Sequence, residues 1–230
     1  MGPVYELNGL RVIDLTKPLD PETESRRCRL IRYNTGGPIP DYHTALDLTS
    51  HLGTHCECPY HHFEDGKSAG DLPLSAFMGR AIYVKLSGLA PRSRITPEAL
   101  DEALGSRVME GDIVILDSPY QIPPFTPLTN TDADQRLRVG PESAWWFRNH
   151  RVKCVGFGDG VSIESSNEDV RPFHDILMEV DICFIEVLKN LEYIKQDVFF
   201  FSFAPLPILG ADSCPVRAYA IEGIAQFSQE

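Results

Sequence analysis

The chain has 230 residues, with 33 Asp and Glu against 21 Lys and Arg, for a formal net charge of −12. Such an acidic balance argues against nucleic acid or an anionic membrane as partner, because both present negative phosphate surfaces that would repel it. With 43% hydrophobic and 23% charged residues the composition is that of an ordinary soluble globular protein, long enough to bury a core without covalent staples.

The opening stretch, MGPVYELNGLRVIDL, has no basic head followed by an apolar run, so no secretory signal is expected. Glu6 stands where a myristoylation motif beginning at Gly2 wants Ser or Thr. Residues 11–15 and 44–48 read as short strands, separated by a polar stretch whose Gly36, Gly37 and Pro38 mark a loop. Residues 81–86 are another strand. Thr96 followed by Pro97 opens a helix that Gly105 closes, and residues 113–116 form a compact buried strand after it. Residues 119–138 are polar and proline-rich, long enough for a functional loop.

Gly140 and Pro141 open a second helix running through Trp145, Trp146 and Phe147, followed by a strand over residues 152–157. Residues 174–180 read as a helix with Ile176, Leu177 and Val180 on one side, and residues 182–187 return to strand. The apolar region 198–210 is interrupted by Ser202, Pro205 and Pro207 and is too short to span a bilayer. With no linker-like stretch or internal repeat, the expectation is one domain over residues 1–230. Its class is α/β with a mixed sheet, since strands alternate with short helices after a strand-rich beginning. Six cysteines, thinly spread and without a secretory signal, are expected to be reduced thiols in a cytoplasmic protein.

The segment HLGTHCECPYHH at residues 51–62 holds four of the seven histidines. If it is extended, His51, Gly53, His55 and Glu57 share one face, and Leu52, Thr54, Cys56 and Cys58 the other. Two imidazoles and a carboxylate in a row are the donors a divalent cation takes from a protein that leaves a coordination position open. Gly53 leaves room for a metal or substrate, and His61, beyond the strand-breaking Pro59, can turn toward the same site. Far along the chain, Glu186 lies on the face of Ile182 and Phe184, where a carboxylate is costly to bury without a cation or strong donors. His174 is its natural companion. Cys56 and Cys58 point away from the histidine row and are read as small buried hydrophobes. The GFGDG run at residues 156–160 suggests a nucleotide-binding turn, but the polar SIESSNEDVRP after it replaces the apolar helix start such a turn needs.

His51, Gly53, Thr54, His55, Glu57, Pro59 and His61 resemble the HxGTHxDxPxH signature of the metal-dependent cyclase family, which includes bacterial kynurenine formamidase, isatin hydrolase and a trans-dienelactone hydrolase. DLTKPL at 14–19, HDILMEVDICFIEVLKNLEYI at 174–194 and CPVRAYAI at 214–221 resemble that family's flanking segments, so the likeness covers nearly the whole chain. It implies a swivelling β/β/α fold, a homodimer or homotetramer, and one or two divalent ions, Zn or Mn, per chain. His51, His55 and Glu57 would hold a catalytic metal. His174 and Glu186 would complete a second or shared shell, and His61 would be the acid/base residue or a ligand of a second ion. Glu57 departs from the family's Asp by one methylene.

Such a cation lowers the pKa of water toward about 7 and polarises a carbonyl, so the expected activity is hydrolysis of a small amide, formamide, lactam or lactone. His61 is expected to move the proton; His62 has the opposite parity on an extended chain and is the weaker choice. Tyr60, Phe63, Tyr120, Trp145 and Trp146 are candidate pocket walls. Two alternatives stay open: a cyclase, dehydratase or isomerase using the metal as Lewis acid without net hydrolysis, and a metal-containing binding protein without turnover. No other cofactor is expected, and the partner is a small-molecule substrate.

Overall fold

The computed structural model describes residues 2–121, 133–164 and 168–227. Its centre is a ten-stranded mixed sheet that takes strands from both ends of the chain. Four strands run parallel as neighbours: β6 (Met78–Lys85), β7 (Ile113–Asp117), β9 (Cys154–Gly158) and β11 (Cys183–Leu188). Beyond β6 the sheet continues through β12 (Val198–Ser202), β14 (Tyr219–Glu222), β2 (Leu10–Asp14) and β1 (Val4–Leu7), each pairing antiparallel with the strand before it. On the other side, β5 (His55–Glu57) and then β13 (Ser213–Pro215) extend the sheet antiparallel beyond β11.

Helices α1 (Pro97–Ala103), α2 (Pro141–Asn149) and α3 (Val170–Met178) lie between successive parallel strands in sequence and pack on one sheet face. Sequence chemistry sets the helix starts. Thr96 caps α1 by accepting from the Ala99 amide, and Pro97 and Pro141 occupy first turns, where a missing N–H costs nothing. On the helical face Val114, Leu116, Phe147, Phe157, Phe173 and Phe184 are buried; on the opposite face Ile13, Phe199, Phe201 and Phe203 are buried together with Cys56, Cys58, Cys154, Cys183 and Cys214. All six cysteines are buried and unpaired, so Cys56 and Cys58 serve as the small hydrophobes expected of them.

Several expectations are corrected. The strand over 44–48 is real but belongs to a separate two-stranded hairpin, β3 (Cys28–Asn34) and β4 (Tyr42–Leu48), which pairs with no strand of the main sheet. The third helix begins at Val170, four residues before His174, and ends at Met178. Val180 lies beyond it and is exposed, while Phe173, His174 and Leu177 form the inner face. The expected loop over 119–138 falls partly outside the described residues, at 122–132; its end contains β8 (Leu137–Arg138), which pairs with β10 (Val161–Ser162). In the GFGDG run, a side chain at Gly158 would crowd Leu191 and Asp117, which is a packing reason for that glycine. No helix among the described residues is long and apolar enough to cross a membrane.

Candidate metal centre

The sheet register builds the site. Glu186 lies opposite His55, and Phe184 opposite Glu57, so His55, Glu57 and Glu186 project from adjacent strands on the face covered by α3. His174, midway along α3, descends onto this group, with its ring edge-on to Phe184 at 4.7 Å. His51 arrives differently from the sequence expectation. The chain is not extended from 51 to 57: β5 begins only at His55, and Gly53 turns the backbone with a φ of +58°. At Gly53 a side chain would also overlap Leu19, so the glycine serves a left-handed turn and close approach by the chain, not access for a metal. The turn nevertheless brings His51 back onto the cluster, 5.2 Å from His55 between ring centres.

Glu57 is the hub. Its Oε1 lies 2.7 Å from His51 Nδ1 and 3.5 Å from His55 Nε2, and its Oε2 lies 3.3 Å from His174 Nε2. The longer Glu arm thus lets two oxygens serve three imidazoles. Burial opposes ionisation of Glu57, but hydrogen bonds from His174 and His51 outweigh it and hold the carboxyl well below its usual range. Glu186 goes the other way: burial, and then the charge of Glu57, push its carboxyl well up. Burial also works against a charged His51, yet the hydrogen bond and charge of Glu57, followed by those of Asp212, leave its pKa raised. In His61 burial dominates and lowers the pKa.

The donors fit a cation. His55 Nδ1 donates to the Gly53 carbonyl at 2.8 Å, which fixes the tautomer and turns the Nε2 lone pair inward. That buried Nε2 has no hydrogen-bond partner among the described residues, although it stands 3.5 Å from Glu57 and 3.7 Å from Glu186. The His174 ring is oriented by its Nδ1, 2.7 Å from the Val170 carbonyl, with Nε2 turned to Glu57. An unpartnered buried nitrogen between two carboxylates is the arrangement that a bound cation completes. Two groups of ligand atoms lie within reach of one ion each: His51, Glu57 and His61, and His55, Glu57 and Glu186. Glu57 belongs to both, whereas the sequence had grouped His51 with His55.

His61 follows a short 3-10 turn, Pro59–His61, that swings it over the cluster, 4.4 Å from His51 between ring centres. His62 also lines the cavity, stacked on His174 at 4.6 Å, with its Nδ1 2.7 Å from Asp175. The cavity, of about 790 Å³, opens beside Arg26, Arg27, Ile163, Glu164 and Arg171. None of the aromatic residues expected in its wall is there. Trp145 is exposed, Trp146 is buried with its indole N–H on Asp101, Tyr60 is exposed, Phe63 packs on the helical core, and Tyr120 lines a separate cavity. Sequence reading also missed Asp212, whose Oδ2 lies 2.9 Å from His51 Nε2 and 3.3 Å from His61 Nδ1.

The Cyclase family model matches residues 13–165, which span the histidine segment and most of the parallel strands. The chain belongs to the Cyclase family. A kynurenine formamidase from Salinibacter ruber is 28% identical over 176 residues, covering 76% of this chain and 77% of its own length. Another, from Paracidovorax citrulli, is 27% identical over 185 residues, covering 80% and 81%. In three dimensions, isatin hydrolase A from Labrenzia aggregata superimposes with a TM-score of 0.71 at 21% identity, covering 92% of this chain and 93% of its own. A predicted metal-dependent hydrolase from Bacillus stearothermophilus gives 0.67 at 22%, covering 93% and 99%. These structural neighbours share the mixed α/β fold.

Proposed function

We propose that this Cyclase-family protein is a metal-dependent hydrolase that opens a small amide, formamide, lactam or lactone. The observation that carries the reading is His55 Nε2, buried and unpartnered between Glu57 and Glu186. His51, His55, Glu57, His174 and Glu186 would hold the ion, and sharing of Glu57 between two ligand groups supports a pair. Imidazole and carboxylate donors suit Zn or Mn. When bound, the ion lowers the pKa of water and polarises a carbonyl.

The chain's residues supply the rest. His61 faces the cavity, and its lowered pKa keeps it a neutral base at neutral pH, able to take a proton and return it to the leaving nitrogen or oxygen. Likeness to kynurenine formamidases and isatin hydrolases directs attention to amide substrates. A hydrolysis screen with N-formylkynurenine, isatin, dienelactone and simple cyclic imides, in the presence of Zn or Mn, is expected to give turnover with an amide; no turnover with any of them contradicts the reading.

The same proposal includes one domain over 1–230, supported by a sheet that unites both ends of the chain, and a cytoplasmic protein, supported by six free thiols. It includes a homodimer or homotetramer as well. The β3–β4 hairpin exposes Leu30, Ile31, Tyr33, Tyr42 and Leu46, and a two-stranded ribbon alone is marginally stable in water. Light scattering should give a multiple of the chain mass; a monomer would contradict this part.

A further inference from the structure

Asp212 touches two of the site's histidines and has no role assigned so far. It stands just before β13, at the sheet edge reached last by the chain, and its main chain is pinned there. Its carbonyl accepts from the Cys58 amide at 2.9 Å, and the neighbouring Ser213 hydroxyl donates to the Ser50 carbonyl at 3.1 Å. The segment bearing Asp212 is thereby tied to both flanks of the histidine segment, at Ser50 and at Cys58. The Asp212 side chain is about one-third exposed, so it can be rebuilt without opening the core.

One oxygen of Asp212, Oδ2, serves both His51 and His61, at 2.9 Å from His51 Nε2 and 3.3 Å from His61 Nδ1. His51 presents its other nitrogen, Nδ1, to Glu57, and therefore to the ligand group that includes Glu57 and His61. A carboxylate behind one ring nitrogen fixes the tautomer and orientation of the other, and it makes that other nitrogen a better donor to a metal or a better base.

We propose that Asp212 is a positioning residue that sets two imidazoles at once: it presents His51 Nδ1 as a ligand and His61 Nε2 as the proton carrier. The inference rests on the metal-dependent reading above. It makes the loop before β13 the structural link between metal affinity and turnover, functions otherwise assigned to separate side chains.

The test compares wild type, Asp212→Asn and Asp212→Glu. Zn and Mn affinity is measured by competition with a chromogenic chelator, kcat and KM are measured on the best amide of the screen at saturating metal, and folding is followed by thermal melting. Asp212→Asn is expected to weaken metal about 10–100-fold, as removal of outer partners of ligating histidines does. At saturating metal it is also expected to lower kcat by about 10-fold or more with KM little changed. Asp212→Glu, which keeps the charge, should recover part of both losses, and carries the test by itself if the Asn variant does not fold. Two results overturn the proposal: unchanged metal affinity and kcat in Asp212→Asn, or loss of metal stoichiometry even at saturation, which would make Asp212 a direct ligand. If wild type binds no divalent metal and hydrolyses none of the amides, the underlying reading has failed instead.

Discussion

His55 Nε2 stands 3.7 Å from Glu186 Oε2 across the β5–β11 pair, and the two groups make no hydrogen bond. Glu57 closes the other side of the same small volume at 3.5 Å. Two carboxylates and an imidazole lone pair at these separations are mutually unfavourable without positive charge between them, and each backbone position is locked by the sheet. The donor set therefore suits a cation.

Removing one of the two carboxylates should separate stability from affinity. Glu186→Gln keeps the shape but removes a carboxyl whose ionisation is opposed by burial and then by the charge of Glu57, so the metal-free variant is expected to gain about 1 kcal/mol, or roughly 2–4 °C in Tm for a chain of this size. Its metal affinity should fall, and with it the rise in Tm on adding Zn or Mn. Thermal melts with and without metal check both halves; a metal-free variant less stable than wild type would oppose the charge argument.

His61 lines the cavity, outside the inner imidazoles His55 and His174, and the proposed function makes it the proton carrier. His61→Ala should retain metal, as measured by elemental analysis, while kcat drops by about 10²–10⁴, the range of a lost general acid/base. Loss of metal along with turnover would show that His61 is a ligand in the group with His51 and Glu57.

Val187, next to Glu186, has a φ of +59°, a left-handed conformation that is unfavourable for a β-branched residue by about 1–3 kcal/mol. The conformation is held by the Thr54 hydroxyl, which donates to the Val187 carbonyl at 2.7 Å and accepts from the Lys17 amide at 2.7 Å. Asn tolerates this region far better. Val187→Asn is expected to raise the midpoint of urea unfolding, by about 1 kcal/mol in stability, with metal affinity unchanged. A lowered midpoint would mean that packing of the valine methyls outweighs the backbone cost.

Much of this was legible in the sequence. The apolar runs at 113–116 in β7 and around Glu186 in β11 announce buried strands, and Thr96–Pro97 and Gly140–Pro141 announce their helices through the chemistry of a first turn. The period-two alternation that puts His55 and Glu57 on one face is local to β5, and the apolar run around Glu186 marks a carboxylate on a buried strand, although its pairing opposite His55 is long-range. Two things were not legible. The positive φ at Gly53 breaks the alternation, so His51 reaches the cluster by a turn instead of by parity. Asp212 was invisible because its place depends on β13 pairing with β5, where Cys214 lies opposite Cys56, 158 residues earlier in the chain, and nothing local encodes that register. The hairpin strand β3 was missed for a related reason: with most of its residues exposed, it lacks the one-sided apolar alternation that marks a half-buried strand.

Arg136 offers a test of the ion pairs behind the cavity wall. It is buried and grips Asp134 through Nε and Nη2 and Glu164 through both terminal nitrogens, at 2.7–2.9 Å. Burial opposes ionisation of Asp134, but hydrogen bonds from Arg136 prevail and its pKa is lowered. A depressed carboxyl stabilises the fold at pH above its unfolded value, and that contribution is lost as pH falls through the folded one. Arg136→Met is therefore expected to cost about 3–5 kcal/mol near neutrality, with the deficit shrinking as pH drops below about 4. Urea unfolding at pH 7 and at pH 3.5 measures it; an equal deficit at both would contradict the ionic account.

The most direct test of the metal centre is activity against bound metal on one preparation. Protein stripped by chelator and dialysed should hydrolyse no amide. Zn or Mn added in steps should restore turnover, reaching a plateau at one or two ions per chain. Full turnover in protein shown by elemental analysis to be free of divalent metal would contradict the account at its centre.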